Sequence, residues 1–285
     1  MVAEVFQFSY NLFVSNGLSF KRILEGRFLP FTMPIDLQNS VVYGPIHSRR
    51  LGNSLGINIL PLNWKLCDFD CVYCQYGWTP EKPGEEKVKR VDELLPIMEE
   101  ELAAFKEAGE PIDCITIAGN GEPALHPDLL AIVQGLKRLR DRFYPEARLG
   151  ILTDASMIHK PLVKQALLEL DDRYLKLDVA SPEDFEAINR PLGKFDWNRF
   201  IEELRSIPDK VLQSLFVTGS YDNTSEAQVE KWVKLVSYVR PNAVQVYTVD
   251  RPTADPGIRK VSSQRLHEIA EILEQTTGIE AYVFE

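Results

Sequence analysis

Short runs of β-branched and apolar residues recur along the chain, and longer amphipathic stretches separate them. The clearest run is 113–118, which reads DCITIA and is followed by a segment rich in glycine and proline. An alternation of this kind is typical of repeated β/α units, in which helices cover a parallel sheet. The pattern therefore predicts an α/β fold.

Six strands are predicted, at 55–60, 113–118, 148–153, 174–179, 211–217 and 243–249. Helices are predicted at 91–108, 127–142, 160–170, 182–189, 196–206, 224–239 and 262–276. The closing segment IEAYVFE predicts one more edge strand. Six units do not complete an eight-stranded barrel, but they are enough for an open one. The expected fold is a partial (β/α)6 TIM-like barrel.

Composition limits the class of protein without naming it. The chain has 285 residues, of which 45% are hydrophobic, so it can bury a full core. No stretch approaches the roughly 18 to 20 apolar residues that a membrane span needs, and the N-terminus lacks the order of a signal peptide. We expect a cytoplasmic protein with no membrane partner. Residues 1–40 follow no period and are predicted to be an N-terminal extension; residues 41–285 are predicted to form one core domain.

Three of the four cysteines stand in the segment KLCDFDCVYC, just after the first predicted strand. Cys67, Cys71 and Cys74 have CxxxCxxC spacing, which lets three thiolates converge on one face of a compact cluster. A zinc site normally needs four ligands, and the fourth cysteine, Cys114, lies within the apolar run of a strand. In a cytosolic chain a disulfide is also less expected. An iron–sulfur cluster with one open iron is favoured, and structural zinc stays open as an alternative.

Polar residues follow the other predicted strands, where β/α folds place their sites. After the second strand, Gly119 and Gly121 allow a close backbone approach, and Asn120 and Glu122 accompany them. A plain tight turn would also explain these glycines. The third strand ends at a group of short polar residues that would suit a ribose or carboxylate, or act as helix caps: Thr153, Asp154 and Ser156.

Charged residues also occur within and before strands. Lys176 and Asp178 share one face of the fourth strand, where they would either serve a ligand or pair with each other. Arg49 and Arg50 precede the first strand, and two guanidinium groups could clamp a phosphate or carboxylate there. A solvated turn is the simpler interpretation of that pair.

The cysteine segment, with Tyr73 before its last cysteine, resembles the radical S-adenosylmethionine (SAM) superfamily. The segments YGPIHSRRLGNSLGINILP, GNGEPALHP, KLDVASPEDFEAINRP and DRP extend the likeness to the branch related to wybutosine-synthesis iron–sulfur oxidoreductases. The likeness runs from about residue 42 to about 262. Residues 1–40 lie outside it.

The resemblance implies an enzyme with a [4Fe–4S] cluster and SAM as cofactors. Cys67, Cys71 and Cys74 would ligate iron, and Tyr73 would lie beside the adenine. The segment Gly119–Glu122 would hold the methionine end of SAM, and the polar ends of strands three and four would supply further contacts. Reductive cleavage of SAM would give a 5′-deoxyadenosyl radical, which abstracts hydrogen from a substrate that the sequence does not reveal. No catalytic residue beyond these is indicated.

Partners and rival functions follow from the same resemblance. An electron would come from outside, from flavodoxin or ferredoxin. A tRNA-base modifier is the alternative enzyme, but Lys+Arg 32 against Asp+Glu 42 gives a net charge of −10, which disfavours nucleic acid. A rival of another class is a metal- or cluster-binding redox sensor without catalysis.

Overall fold

A parallel β-sheet organises the computed structural model, which describes residues 35–48 and 50–285. The sheet strands are β1 Val42–Ser48, β2 Gly52–Ile57, β3 Cys114–Ile117, β4 Arg148–Thr153, β5 Asp172–Lys176, β6 Lys210–Leu215, β8 Ala243–Tyr247 and β10 Glu280–Phe284. Two short strands, β7 Thr218–Gly219 and β9 Ile258–Arg259, form a separate antiparallel ladder. Apolar residues with high β propensity explain the central strands, since all four residues of β3 are buried.

The sheet order is β1-β2-β3-β4-β5-β6-β8-β10, and every pair from β2 to β10 is parallel. Strand order therefore follows chain order, as expected for successive right-handed β/α units. Within the described residues the two outer strands do not pair with each other, so the barrel is open. The predicted partial barrel is confirmed, and so is the closing edge strand, which pairs with β8.

Strand β1 was not predicted. It pairs antiparallel with β2, and the register shifts between Tyr43 and Ile46. Gly44 and Pro45 lie at that irregularity. Proline within a run argues against a strand unless the strand is at an edge or has a bulge, and β1 has both features.

Helices cover the outer face of the sheet: α1 Val91–Glu107, α2 Leu129–Phe143, α3 Pro161–Leu168, α4 Pro182–Ile188, α5 Trp197–Ser206, α6 Glu226–Val239 and α7 Ser263–Thr277. The start of α4 illustrates how the sequence sets these boundaries, because Ser181 accepts a hydrogen bond from the Asp184 N–H at 3.1 Å and Pro182 occupies the first turn. Pro96 is tolerated inside α1. The loops that leave the carboxyl ends of the strands meet at one rim of the barrel.

The predicted extension at 1–40 lies mostly outside the described residues. Its described end, 35–40, contacts this rim. The Ile35 N–H donates to Gln75 O at 2.9 Å, and the Gln38 amide donates to the Tyr76 hydroxyl at 3.0 Å. These six residues therefore pack on the core.

Candidate functional site

The three clustered cysteines lie on the loop that follows β2, at the rim formed by the carboxyl ends of the strands. Backbone hydrogen bonds hold this loop to segments distant in sequence. Leu66 N–H donates to Asn120 O at 2.9 Å, Val72 N–H donates to Ile188 O at 3.0 Å, and Ala254 N–H donates to Cys74 O at 2.9 Å. The loop is therefore fixed by the turn after β3, the end of α4 and the loop after β8, which makes it a rigid frame for a ligand.

The surroundings of the cysteines make a bare thiolate costly. Burial is the main cause that raises the pKa of Cys71 to about 12, and it raises the pKa of Cys67 well above its usual range. A cation stands close by. Burial alone would lower the pKa of Lys65, but the negative charge of neighbouring cysteine thiolates outweighs it and raises that pKa. Thiolates in such a site need metal ligation to be stable, so the loop fits an iron–sulfur cluster.

Cys114 lies away from this group. It opens β3, at the end of the strand opposite the rim, and its Sγ is 3.2 Å from the Thr116 hydroxyl. All four cysteines are free thiols. Zinc therefore lacks a fourth cysteine ligand, and the disulfide interpretation finds no support.

The glycine turn after β3 receives the cysteine loop. A Cβ atom at Gly121 would lie 1.8 Å from the Leu66 carbonyl oxygen, and one at Gly119 would lie 2.3 Å from Asn58 Oδ1. Both glycines have positive φ, at +133° and +158°. The two glycines were predicted to allow a close backbone approach. In this structure the space beside them is taken by Leu66 and Asn58 of the same chain.

Asn120 belongs to the same turn, and both the nitrogen and the oxygen of its side-chain amide are hydrogen-bonded within the protein. Its side-chain N–H groups donate to Gln38 O and Pro61 O, both at 2.9 Å, and its Oδ1 accepts from the Gln38 N–H at 2.8 Å. The side chain is fully buried. Its amide therefore joins three parts of the rim.

Glu122 ends the turn and binds the end of the next strand. Its carboxylate accepts from the Thr153 hydroxyl at 2.5 Å, from Asp154 N–H at 2.6 Å and from Ala124 N–H at 2.8 Å. Burial raises the pKa of Glu122 to about 7, and the negative charge of Asp68 adds to the effect. The structure thus brings together three of the residues predicted after strands two and three.

Three buried oxygen atoms beside these residues have no hydrogen-bond partner within 35–48 and 50–285. They are Asp68 Oδ1, Asp154 Oδ2 and Ser156 Oγ. Asp68, Asp154 and the Cys67 sulfur also lie within 4.8 Å of one another through their ligand atoms. Burial and then the charge of Glu122 raise the pKa of Asp154 well above its usual range. Buried polar atoms without partners are rare, and carboxylates so placed suit a cationic ligand with several N–H donors.

A second network joins β5 to the cysteine loop. The Tyr73 hydroxyl donates to Asp178 Oδ2 at 2.5 Å, and the Asn189 side-chain N–H donates to the same oxygen at 2.9 Å. Lys176 Nζ lies 3.4 Å from Asp178 Oδ1. The sequence left open whether Lys176 and Asp178 serve a ligand or pair with each other, and in the structure they form an ion pair. Tyr73 stays buried under the Lys176 ammonium group, whose nitrogen is 4.8 Å from the ring centroid.

Two residues of this region were missed from the sequence. Asp68 lies within the cysteine segment, but the CxxxCxxC spacing indicates a role only for the three thiols. Asn189 comes from the loop after α4, and its amide also lies 3.6 Å from Cys71 Sγ. The signal for Asn189 was present in the segment INRP, which belongs to the family resemblance, but nothing local in the sequence links it to the cysteines.

Comparison with known proteins identifies the class. The model of the radical SAM superfamily matches residues 64–236, and the chain belongs to this superfamily. Its cofactors are accordingly a [4Fe–4S] cluster and SAM, and it is an enzyme of SAM-cleaving radical chemistry that depends on an external reductant.

Individual relatives place it within the superfamily. It is 31% identical over 220 residues to a "UPF0026 protein" of Helicobacter pylori, covering 75% of this chain and 68% of that protein. It is 22% identical over 200 residues to the S-adenosyl-L-methionine-dependent tRNA 4-demethylwyosine synthase of Arabidopsis thaliana, covering 63% of this chain and 29% of the synthase. A solved structure, TYW1 with a lysine–pyruvate adduct bound, superposes with a TM-score of 0.57 at 15% identity, covering 79% of this chain and 74% of that one. The sequence similarity to the synthase supports the predicted branch related to wybutosine synthesis, and the structural similarity shows the shared fold.

No helix in the described part of the chain is long and apolar enough to cross a membrane.

Proposed function

We propose that this enzyme uses Cys67, Cys71 and Cys74 to hold the [4Fe–4S] cluster. The observation that carries the assignment is the set of three half-buried thiols on a loop fixed at the barrel rim, with Cys114 remote from it. Three protein ligands leave one iron for SAM. When bound, the reduced cluster and SAM supply a 5′-deoxyadenosyl radical that abstracts hydrogen from the substrate.

The carboxylates beside Cys67 are proposed to bind the amino group of SAM. Asp68 Oδ1 and Asp154 Oδ2 are buried without partners among the described residues, and an ammonium group would supply their missing donors. Glu122 holds the Asp154 backbone in place through its 2.6 Å hydrogen bond. The Ser156 hydroxyl, also unpartnered in the described chain, is available to a second polar group of SAM.

The Tyr73–Asp178–Asn189 network is proposed to position the cluster loop rather than to react. Asn189 links the phenol, the carboxylate and the Cys71 sulfur through one side-chain nitrogen. Tyr73 would lie beside the adenine, with its hydroxyl held by Asp178 and Asn189. The Asn189 side-chain nitrogen lies 3.6 Å from the sulfur of Cys71 and so helps to fix the position of this thiol.

The electron is proposed to come from flavodoxin or ferredoxin. This proposal is supported by the general need of the superfamily for a reductant and by the position of the cysteine loop at the rim. A direct check is anaerobic turnover with each donor in place of dithionite.

The proposed function is tested by paired cysteine variants. After anaerobic reconstitution with iron and sulfide and reduction with dithionite, the wild type should form 5′-deoxyadenosine from SAM. Cys71→Ala should bind no intact cluster and form none, whereas Cys114→Ala should behave as the wild type. Iron content retained in Cys71→Ala, or a wild-type cluster that leaves SAM intact, overturns the proposal and favours a redox sensor.

A tRNA base is the second candidate substrate, because the chain is similar to tRNA 4-demethylwyosine synthases. The net charge of −10 opposes it, since phosphate contacts dominate nucleic-acid affinity. Gel-shift titration of the reconstituted enzyme with bulk tRNA at 50 mM and 200 mM salt distinguishes the cases. Binding that weakens steeply with salt supports a tRNA substrate, and no binding at 50 mM rejects it.

A further inference from the structure

Two basic side chains converge on one aromatic ring inside the barrel. The Arg50 guanidinium carbon lies 5.0 Å from the Tyr247 ring centroid, and Lys176 Nζ lies 5.3 Å from it. Lys176 also donates to the Tyr247 hydroxyl at 2.8 Å. The same ammonium group is 4.8 Å from the ring of Tyr73, which stands between two of the clustered cysteines. Lys176 therefore borders the proposed cluster site, and Arg50 lies on the other ring that Lys176 contacts.

Lys176 faces the concave side of the sheet. Successive residues of a strand point to opposite faces, and Leu175, the neighbour of Lys176, is fully buried in the core cluster. Arg50 reaches the ring from the turn that connects β1 to β2. The two cations are thus brought together from the β1–β2 turn and from β5, which are distant in the sequence.

The positive charge here is incompletely neutralised. Asp178, at 3.4 Å from Lys176, supplies one negative charge against the two positive charges of Lys176 and Arg50. In the described ranges Arg50 forms no ion pair. A half-buried guanidinium group without a carboxylate is unfavourable unless a ligand supplies the negative charge.

The neighbouring strands add neutral donors. Lys176, Gln213 and Gln245 lie side by side in register on β5, β6 and β8. Gln213 Nε2 donates to Gln245 Oε1 at 2.8 Å, so the Gln245 side-chain N–H groups remain available, with no acceptor among the residues that the structure describes. A row of cation and amide donors on one face suits an acceptor-rich anion.

We propose that Arg50, Lys176 and Gln245 bind an anionic group of the substrate, a carboxylate or a phosphate. This inference rests on the proposed function, in which SAM binds at the carboxylates near Cys67. The barrel interior is then the place where the substrate binds. Arg50 would bind the anion with two parallel N–H bonds while its face stays on Tyr247. The substrate class is therefore an acidic small molecule or an acid-bearing part of a larger one.

The carboxylate of SAM itself has the same chemistry and is the other source of such an anion. Anaerobic calorimetric titration of the cluster-loaded enzyme with inorganic phosphate and with malonate separates the two, when done with and without saturating SAM. Binding that is equal or stronger in the presence of SAM is expected. Displacement of both anions by SAM would assign the site to SAM and overturn the proposal.

Variants locate the site. Arg50→Met should weaken binding of the preferred anion at least tenfold, and Arg50→Lys, which keeps the charge, should weaken it less. The matched control is Arg205→Met, since the Arg205 guanidinium carbon lies 4.2 Å from the Tyr238 ring centroid on the exposed surface of α5 and α6. Its affinity should equal that of the wild type. Equal affinity in Arg50→Met, or no binding of either anion by the wild type at 50 mM, overturns the proposal.

Iron content and SAM affinity are measured on the same samples. Both should be unchanged in Arg50→Met, which shows that the fold and the SAM pocket are intact. If the wild type binds the anion but does not cleave SAM, the proposed function fails while the anion-binding site itself stands. If SAM is cleaved but no anion binds, only this inference fails.

Discussion

Replacing Gly121 with alanine tests whether the glycine turn holds the cysteine loop. The new Cβ would lie 1.8 Å from the Leu66 carbonyl oxygen, whereas ordinary van der Waals contact begins at 3.4 Å. The loop or the turn must therefore retreat by roughly 1.6 Å, the difference between these distances. The three atoms nearest to the new Cβ are all backbone atoms of Leu66, so no side chain can rotate to relieve the contact. The hydrogen bond from Glu122 N–H to Leu66 O, at 2.9 Å, would be disturbed as well.

Gly193 provides the control for backbone strain. Its φ of +148° is close to the +133° of Gly121, but nothing lies within 4 Å of its Cβ position. Alanine in such a backbone region costs about 1 to 3 kcal/mol, and overpacking adds about 1 to 3 kcal/mol. Gly193→Ala should therefore lose about 1 to 3 kcal/mol of unfolding free energy, and Gly121→Ala about 2 to 6 kcal/mol.

Urea titration of the cluster-free proteins measures these losses, and iron analysis after anaerobic reconstitution measures the effect on the site. Gly121→Ala should bind less than half of the wild-type iron, because the first cysteine follows Leu66 directly. Gly193→Ala should bind the full amount. Normal iron content in Gly121→Ala, with a stability loss no larger than that of Gly193→Ala, would refute the role given to this turn.

Three further predictions concern single side chains. Asp154→Asn should weaken SAM binding roughly tenfold or more in anaerobic titration, because a charge-assisted hydrogen bond contributes about 1.5 to 3 kcal/mol; unchanged affinity at normal iron content would contradict this. Asn189→Ala should lower the unfolding free energy by about 1 to 3 kcal/mol in urea, since Tyr73 and Asp178 lose a donor, and a loss that cannot be measured would remove it from the network. Burial lowers the pKa of Lys210 from 10.5 to about 8, so the unfolded chain binds more protons in that interval and stability rises with pH between these values. The rise should be about 1 to 2 kcal/mol after solvent screening; Lys210→Met should remove it, and an equal slope in both proteins would show that Lys210 is not its source.

The strands were predictable where composition and burial agree. The run CITIA is apolar and β-branched, and it forms a central strand with helices on its outer face. Strand β1 was not predictable, because Gly44 and Pro45 interrupt its pattern and the antiparallel pairing to β2 supplies the missing stability. Local sequence carries propensity but not the partner that a strand will find.

The candidate site also has a part that the local sequence predicts and a part that depends on the fold. CxxxCxxC spacing concentrates three thiols in one segment, so the sequence alone points to a cluster. The contacts of Asn189 with Tyr73 and Asp178 span 116 and 11 residues of chain, and they exist only because α4 returns to the cysteine loop. The pairing of Arg50 with Tyr247 likewise depends on the fold, which brings the β1–β2 turn to the end of β8. Chemistry carried by one segment could be predicted, whereas chemistry assembled from several strand ends needed the fold.

The central claim is that three cysteines leave one iron of the cluster open to SAM. Electron paramagnetic resonance of the reconstituted, dithionite-reduced enzyme, recorded before and after addition of SAM, tests it most directly. The account predicts a [4Fe–4S] signal whose g values shift when SAM is added, and a smaller shift in Asp154→Asn at the same SAM concentration. A cluster signal that SAM leaves unchanged in the wild type would contradict the account.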